Sequence, residues 1–446
     1  MPWARLTPAH RLAAVLILLV VAVGGVLRAD SIGSNTHTSA DEQGYVSNAN
    51  RILAHERYAT FEWPPGTSIV FAVAARASGH RSVRLTTHAT GPAQYAQLAA
   101  GIATLLLIAA IAWLVAGPWA ALLATALAAS YVPLIVATRT FLSEPVGGLA
   151  LLAAVAAAAI ARAKFGARRW WLWLAGAGFV GGCAALTRGD LAIAMAVIAL
   201  ALALSGRPGW RPGLLRGAIY LGAVLLALAP WLTYASVTEK RFVALTTAGP
   251  TAFFIGSYLP GKGLLVPTEE HLAPEVCAHF PKVGCGRYWD RGAAPLFKLV
   301  HSRYPGKSAR AAVVAADIDN IEKYALGQPL DFAGMLWNKF WKMWRTVWSG
   351  GNGTYHPSTN QPQHTVYVLF AWIGLLAGAL ATRRWSFIVA ASTLLAIAVL
   401  ATLFNDQPRY NVSLMPLLLA YGTAGAWLAG RALLERRRRP YSAIST

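Results

Sequence analysis

Residues 12–27 read LAAVLILLVVAVGGVL, an uninterrupted run of apolar and small residues that follows Arg5 and Arg11. A run of this length behind cations is typical of a signal peptide or of a membrane-spanning helix. The Gly24-Gly25 pair is not a small-residue cleavage site followed by a soluble domain, and more apolar runs come later. We therefore predict an uncleaved first membrane helix.

The composition of the whole chain is also that of a membrane protein. Apolar residues make up 56% of the 446 residues and charged residues 13%, about half the charged share of a soluble domain. This argues against a soluble enzyme, a disordered tail and, with three cysteines, a disulfide scaffold. The net charge of +21 is compatible with nucleic-acid binding, but many arginines lie in short loops between apolar runs, where membrane orientation explains them better.

Ten stretches are long and apolar enough to be candidate membrane spans. They lie at 11–27, 94–116, 118–137, 145–163, 170–187, 190–206, 216–234, 364–382, 385–404 and 411–430. If the N-terminus is cytoplasmic, the cations of the short loops alternate consistently with the positive-inside rule. We predict an all-α polytopic protein of the plasma (inner) membrane, with both termini cytoplasmic and a small extracytoplasmic α or α/β segment.

This topology divides the chain into five parts. They are the first membrane helix (1–27), a first extracytoplasmic loop with interfacial helices (28–93), spans two to seven (94–234), a second extracytoplasmic segment (235–363), and spans eight to ten with a basic cytoplasmic tail (364–446). In the second segment, Cys277 and Cys285 are either a small disulfide loop or two free thiols.

Two stretches outside the spans predict helices that lie in the membrane interface. Residues 66–79 are apolar but too short to span. Residues 332–348 read FAGMLWNKFWKMWRTVW, with tryptophans spaced 4, 3 and 4 apart on one helical face and Lys339, Lys342 and Arg345 on others. The second helix is either a simple anchor or one whose cations also touch the phosphate of a lipid-linked substrate.

Polar residues gather at four places that the topology puts on the extracytoplasmic side. These are Asp41-Glu42, Arg139 with Glu144, Arg188 with Asp190, and Asp406 with Arg409 and Tyr410. Carboxylates at a membrane boundary are costly unless paired or functional, so this predicts a polar cleft that opens outward. Structural explanations stay open: a capping box of Ser39 and Glu42, local salt bridges at Glu144 and Asp190, and snorkelling of Arg409.

Taken in order, these motifs resemble the GT-C superfamily of integral-membrane glycosyltransferases, and most of all the branch of protein O-mannosyltransferases and lipid A aminoarabinose transferases. The matching features are Asp41-Glu42 with Tyr45, the turn Pro64 to Gly66, Ser143 to Pro145, Leu186 to Arg188, the segment FFIGSYLPGKG at 253–263, the Trp-rich helix, and RYNVSLMPLLLA at 409–420. The sequence departs from the family pattern in three places: Trp63 stands in place of a Lys-like residue, Gly66 in place of Leu, and Gly189-Asp190 in place of Pro-Glu.

The resemblance implies transfer of a sugar from a polyprenyl-phosphate donor to an acceptor hydroxyl, on the extracytoplasmic side and with inversion. An acceptor hydroxyl needs a base and a leaving phosphate needs cations. We predict catalytic residues Asp41 (base), Glu42 and Glu144; donor-phosphate residues Arg409, Lys262, Arg139 and Tyr410; and substrate-binding residues Tyr45, Arg188 and Tyr258. Partners would be the lipid-linked donor, a lipid, glycan or protein acceptor, and the bilayer, with no nucleic acid. No metal site is predicted, and a divalent metal, though compatible, is not expected to be obligatory.

The main alternative is a transporter or flippase of lipid-linked sugars. Such a protein should carry ionisable groups near the middle of the membrane, and the predicted spans contain almost none. A non-catalytic scaffold would not need outward-facing carboxylates. An oligosaccharide polymerase or ligase fits the motif order less well.

Overall fold

The computed structural model describes residues 7–34, 39–85, 90–205, 210–281, 294–347, 362–405 and 409–438, and none of these residues forms a β-strand. The described part of the segment between 235 and 363 is therefore helical rather than α/β. The helices are α1 (Pro8–Ser31), α2 (Ala40–Leu53), α3 (Pro65–Ala77), α4 (Pro92–Ala116), α5 (Pro118–Ser130), α6 (Val132–Ala137), α7 (Glu144–Ala163), α8 (Trp170–Thr187), α9 (Leu191–Leu204), α10 (Trp210–Thr238), α11 (Gly249–Ser257), α12 (Leu265–His279), α13 (Ala294–Ser302), α14 (Ala309–Asn320), α15 (Pro329–Arg345), α16 (Pro362–Thr382), α17 (Trp385–Leu403) and α18 (Tyr410–Arg438).

Each of the ten predicted spans coincides with helix in the structure. Within the described ranges, eight helices are long and apolar enough to cross a membrane: α1, α4, α7, α8, α10, α16, α17 and α18. Two others, α5 and α9, are apolar but have only 13 and 14 residues. The chain is thus an all-α, multi-pass membrane protein.

The predicted span over 118–137 consists of two helices in the structure, because the helix breaks at Tyr131 between α5 and α6. Pro133 lacks the N–H that would bond to the carbonyl of Ala129 in an unbroken helix. Arg28 of α1, only 1% exposed, donates to the carbonyl oxygens of Ala128 at 3.0 Å and Ala129 at 3.4 Å. A buried guanidinium therefore satisfies the carbonyls at the helix break.

Small residues let the C-terminal spans approach each other closely. A Cβ atom on Gly374 of α16 would lie 2.1 Å from the carbonyl oxygen of Gly422 of α18, and one on Gly425 would lie 2.1 Å from that of Gly374. The backbones of α16 and α18 are thus in direct contact, as is common for membrane helices that associate through glycine. This packing helps to fix α18, whose first turn follows Arg409.

The segment between α10 and α16 has a core of its own. Apolar side chains of α11 to α14 and of the π-helical turn Ile321–Leu326 pack together there. Cys277 of α12 is disulfide-bonded, whereas Cys285, the other half of the predicted loop, lies outside the described residues.

The predicted interfacial helices coincide with α3 and α15, and the tryptophans of α15 differ in exposure along the helix. Trp337 is 60% exposed, whereas Trp344 is 4% exposed and packs edge-on against Trp372 of α16 at 5.3 Å between ring centroids. Trp348 lies outside the described residues. The face that carries the tryptophans is therefore open at Trp337 and covered by α16 at Trp344.

Candidate active site

The two acidic residues at the start of α2, Asp41 and Glu42, make contacts in different directions. Ser39 and Glu42 form the capping box that their spacing predicts. The buried carboxylate of Glu42 accepts from the backbone N–H of Ser39 at 2.7 Å and from that of Phe141 at 2.9 Å. Glu42 thereby joins α2 to the loop between α6 and α7, while the neighbouring Asp41 is left to face the cluster described next.

Asp41 forms an ion pair with Arg409, the residue directly before α18. The two positions are separated by most of the chain, and they meet only because α2 packs over the end of the bundle. The Asp41 side chain is 29% exposed and that of Arg409 is 13% exposed. Burial alone would lower the pKa of Arg409, but the negative charges of Asp41 and Glu144 raise it above its ordinary value, so this guanidinium stays charged.

Glu144 is the most buried acid of the cluster, with 2% of its side chain exposed. It is the first residue of α7, where the positive end of the helix dipole stabilises a carboxylate. Its Oε1 lies 3.2 Å from Nη1 of Arg188 and 3.5 Å from Nε of Arg409. Its Oε2 is buried and has no hydrogen-bond partner among the described residues. One carboxylate therefore bridges two arginines and keeps a lone pair open.

Arg188 follows the C-terminus of α8, where the helix dipole favours a cation. Its Nε and Nη2 donate to the two carboxylate oxygens of Asp190 at 3.1 and 2.8 Å. Burial would lower the pKa of Arg188, but Asp190 and Glu144 raise it well above the ordinary value. Gly147 makes room for this side chain, since a Cβ there would lie 2.5 Å from Cδ of Arg188.

Two tyrosines complete the cluster. The ring centroid of Tyr410 lies 5.2 Å from Cζ of Arg188 and 5.9 Å from Cζ of Arg409, so its face lies against both cations. Tyr45 of α2 is buried and interacts with the hydroxyl of Ser143. Burial raises the pKa of Tyr45, which keeps its hydroxyl protonated as a donor. Asp41, Tyr45, Glu144, Arg188, Arg409 and Tyr410 thus meet at one end of the helix bundle, which we call the site end.

Three other predicted site residues make their contacts elsewhere. Arg139 donates to the hydroxyl of Ser34 at 3.2 Å. Tyr258 packs in the core of the segment between α10 and α16, with its ring 5.7 Å from that of Phe254. Lys262 is exposed on the turn after α11, in a left-handed conformation with φ of 55°. The described contacts of Arg139 and Tyr258 thus lie outside the acidic cluster, Lys262 is exposed, and Asp406 lies outside the described residues.

A buried lysine of α15, which the sequence places on a different face from the tryptophans, connects two of these places. Lys339 is 2% exposed, and its Nζ donates to the carbonyl oxygens of Gly256 at 3.2 Å and Phe404 at 2.7 Å. Gly263 packs directly against it, since a Cβ there would lie 2.9 Å from Nζ. Lys339 therefore joins the turn that carries Lys262 to the end of α17, shortly before Arg409. Nothing in its helical spacing marks it as buried.

Two departures from the family pattern are explained by contacts with glycines. The ring of Trp63 lies where a side chain on Gly44 would be, with Cζ3 2.2 Å from a Cβ built there. Gly66 of α3 lies against the backbone at the end of α8, where a Cβ would be 2.6 Å from the carbonyl oxygen of Leu186. A leucine at position 66 would not fit, so α3 can approach Arg188 only because position 66 is glycine.

One further acid near the cluster, Glu62, belongs to none of the motifs identified in the sequence. Desolvation and the negative charge of Asp41 both raise the pKa of Glu62. Together with Arg51, Arg57 and Glu239 it lines a cavity of about 420 Å³ between the end of α2 and the end of α10. No residue of the acidic cluster lines this cavity, but Glu62 lies close enough to Asp41 for their charges to interact.

The electrostatic balance of the cluster is nearly even. Asp41, Glu144 and Asp190 carry three negative charges, and Arg188 and Arg409 carry two positive charges. Within the described residues, no group of three or more His, Cys, Asp or Glu side chains is arranged to hold a metal ion. What the arrangement offers is a partly exposed carboxylate, a buried one, and two fixed guanidinium groups.

No protein-family model matches the sequence, and no curated protein matches it. The structure is similar to the oligosaccharyltransferase AglB of Archaeoglobus fulgidus bound to an inhibitory peptide and a dolichol-phosphate, with TM-score 0.52, 14% identity, and coverage of 97% of this chain and 52% of that one. The apo form of the Archaeoglobus fulgidus oligosaccharyltransferase gives TM-score 0.55, 13% identity and coverage of 100% and 52%.

A third similar structure is ArnT of Cupriavidus metallidurans bound to undecaprenyl phosphate, with TM-score 0.42, 18% identity and coverage of 92% and 77%. The chain spans about half the length of the archaeal enzymes that it matches. At these identities the likeness concerns the fold alone: the chain shares the helical architecture of the archaeal oligosaccharyltransferases.

Proposed function

We propose that this protein is a glycosyltransferase that moves a sugar from a polyprenyl-phosphate donor to an acceptor hydroxyl on the extracytoplasmic side of the membrane, with inversion. The observation that carries the proposal is the meeting of Asp41, Glu144, Arg188 and Arg409 at one end of the bundle. The similar archaeal enzyme is described as an oligosaccharyltransferase with dolichol-phosphate bound, which agrees with a lipid phosphate as the donor carrier.

In the proposed reaction Asp41 is the base. The acceptor oxygen attacks the anomeric carbon and its proton passes to the carboxylate of Asp41. The bond between the anomeric carbon and the phosphate oxygen breaks, and polyprenyl phosphate leaves with an additional negative charge. Arg409 lies against Asp41 and is placed to stabilise that charge. Asp41 suits the role better than Glu144, because it is partly exposed and has a single arginine partner.

Arg409 would exchange partners when the donor binds. In the free protein it pairs with Asp41 and lies 3.5 Å from Glu144. A donor phosphate offers a bidentate partner for a guanidinium, and in taking it Arg409 would release the Asp41 carboxylate for the acceptor hydroxyl. The base would thus become available only when a leaving group is in place.

The charge of the cluster indicates that the donor needs another cation. Three carboxylates face two arginines, so the cluster alone is net negative before an anionic donor arrives. Lys262 is exposed on a turn that Lys339 ties to the segment before Arg409. We therefore retain Lys262, and Arg139 beside the loop between α6 and α7, as additional phosphate contacts.

The proposal is tested by phosphate-dependent lipid binding and by transfer. The purified protein in nanodiscs should bind polyprenyl phosphate and should bind the corresponding polyprenol, which lacks the phosphate, much more weakly. Arg409→Ala should remove most of that difference, since a charge-assisted hydrogen bond contributes about 1.5–3 kcal/mol. Arg384→Ala is the matched control, because Arg384 is exposed and donates to the carbonyl of Val115, the residue before the last of α4.

Transfer is measured with a panel of polyprenyl-phosphate sugars and membrane extract as the acceptor source. Release of polyprenyl phosphate that depends on Asp41 is the expected result. Equal affinity for the phosphate and the alcohol would contradict the assignment of a lipid-phosphate donor. Movement of intact donor across the vesicle membrane without sugar release would support the transporter alternative instead.

A further inference from the structure

Exposed large apolar side chains are distributed unevenly over the segment between α10 and α16. Among its described residues from 243 to 313 there is none. The next 28 positions contain six, namely Val314, Ile318, Leu326, Leu330, Trp337 and Trp341, with exposures of 40, 54, 72, 86, 60 and 37%. The segment therefore has a polar portion and an apolar portion, and the apolar portion runs from α14 through the π-helical turn into α15.

These six side chains follow helical spacing. Pairs four residues apart occur in α14, across the turn into α15, and in α15 itself, so that within each helix the pair lies on one face. The opposite faces are packed: Val313, Ala316 and Tyr324 belong to the core of the segment, and Met335 and Met343 of α15 are buried. The exposed residues are thus an outward apolar surface and not a gap in the core.

Both ends of this surface lie beside the ends of membrane spans. Arg310, in the first turn of α14, interacts electrostatically with Arg241 and Glu239, which directly follow α10. There Val237 and Phe242 are 73% and 76% exposed. At the other end, the Asn411 side chain in the first turn of α18 donates to a backbone carbonyl near the C-terminus of α15 at 2.6 Å. The apolar surface therefore continues the apolar exterior of the bundle at the site end.

We propose that α14, the π-helical turn and α15 together form a lipid-facing platform, which lies on the membrane leaflet at the site end. The interfacial helix predicted from sequence comprises α15 alone, so the platform adds a whole helix and a turn to it. Exposed tryptophans favour the headgroup region, and the cations Arg310, before the apolar residues, and Lys323, among them, are of the kind that interfacial helices carry. Lipid is the occupant because the surface is continuous with the membrane-spanning exterior at both of its ends.

The platform would set the height of the donor site relative to the bilayer. Lys339 of α15 is hydrogen-bonded to the end of α11 and to the end of α17. A platform resting on the headgroups would therefore hold the turn with Lys262 near the depth of lipid phosphates. The platform itself does not depend on the proposed reaction.

The test places an environment-sensitive fluorophore at single cysteines, with the protein in nanodiscs of phosphatidylcholine and phosphatidylglycerol. The labelled sites are Ile318→Cys and Leu330→Cys, in a Cys183→Ser background and under non-reducing conditions that keep the disulfide at Cys277. Glu270→Cys is the matched control, because Glu270 is exposed on α12 in the polar portion of the same segment. Quenching by spin-labelled lipid and by aqueous iodide is compared at each site.

We expect lipid quenching at Ile318 and Leu330 to be several-fold stronger than at Glu270, with iodide quenching reversed. If Ile318 behaves like Glu270, α14 does not lie on lipid and the platform is refuted. If both quenchers fail at Ile318, a protein, such as a second copy of this chain, covers the face, and the lipid assignment is equally refuted. Should a labelled variant fail to give monodisperse protein, Val314→Cys probes α14 and Leu326→Cys probes the π-helical turn next to α15.

Discussion

Asp41 and Glu144 should give opposite results when each is replaced by its neutral amide. Both carboxylates contact Arg409, so a role in holding that arginine is common to the two. They differ in burial, with 29% of the Asp41 side chain exposed against 2% of Glu144. Asp41→Asn and Glu144→Gln are therefore a matched pair that separates chemistry from stability.

For Asp41→Asn we expect a folded protein that transfers sugar very slowly. A partly exposed ion pair contributes about 0–1 kcal/mol, so the variant should unfold at nearly the wild-type temperature. Loss of a general base lowers the rate by about 10²–10⁴-fold. Affinity for polyprenyl phosphate should stay the same or rise, because Arg409 no longer has to leave a carboxylate.

For Glu144→Gln we expect a less stable protein. Removing one partner from a buried ion pair costs about 3–5 kcal/mol, and the lower end applies here because Asp190 still pairs with Arg188 and Asp41 with Arg409. The fraction of folded protein should fall at a given temperature. The turnover per folded molecule should fall less than in Asp41→Asn.

Thermal unfolding in detergent and the transfer rate per folded molecule measure the two effects separately. If Asp41→Asn transfers at close to the wild-type rate, Asp41 is not the base. If Glu144→Gln is as stable as the wild type but inactive, the roles of the two acids are exchanged. Either result would contradict the use of burial to choose between them.

Three other variants test the surroundings of the site. Burial raises the pKa of Glu269 from 4.5 to about 7. Between these two pH values the folded state binds more protons than the unfolded chain, so the stability of the protein falls as the pH rises. In Glu269→Gln the thermal unfolding midpoint, measured from about pH 5 to about pH 8, should therefore depend less on pH than in the wild type. Gly66→Ala should destabilise by about 1–3 kcal/mol through its clash with α8, whereas Gly176→Ala, with open space around it, should not do so in the same unfolding assay. Lys339→Met should weaken polyprenyl-phosphate binding by displacing the turn of Lys262, and Lys342→Met is the control. An unchanged Kd in Lys339→Met would show that the turn of Lys262 is not part of the donor site.

The positions of the spans could be predicted from sequence because length and apolar composition alone decide them. The break at Tyr131 could not be predicted from sequence. Pro133 marks the place, but a proline also occurs in kinked helices that stay continuous. What decides the matter is Arg28, which supplies donors to the freed carbonyls from another helix. A contact a hundred residues away leaves no local pattern.

The common location of the acidic and basic motifs was also predictable, since alternating topology puts every second loop on the same side. Which charge pairs with which was not. Arg139 and Glu144 are five residues apart and suggest a local pair, yet Glu144 lies near Arg188 and Arg409. Likewise Glu42 and Asp41 are adjacent, but helix geometry turns one towards the backbone of the α6–α7 loop and the other towards Arg409.

The unusual residues at positions 63 and 66 are each matched by a neighbour that packs against them. The Trp63 ring fills the space above Gly44, in the turn of α2 that follows Asp41, and Gly66 allows α3 to lie on the end of α8, next to Arg188. Each large or small residue is thus matched by its neighbour, and both pairs border the acidic cluster. A leucine at 66 would push α3 from α8 and a smaller residue at 63 would leave a void beside α2. The positions of Asp41 and Arg188 therefore depend on side chains that carry no charge and take no part in the proposed chemistry.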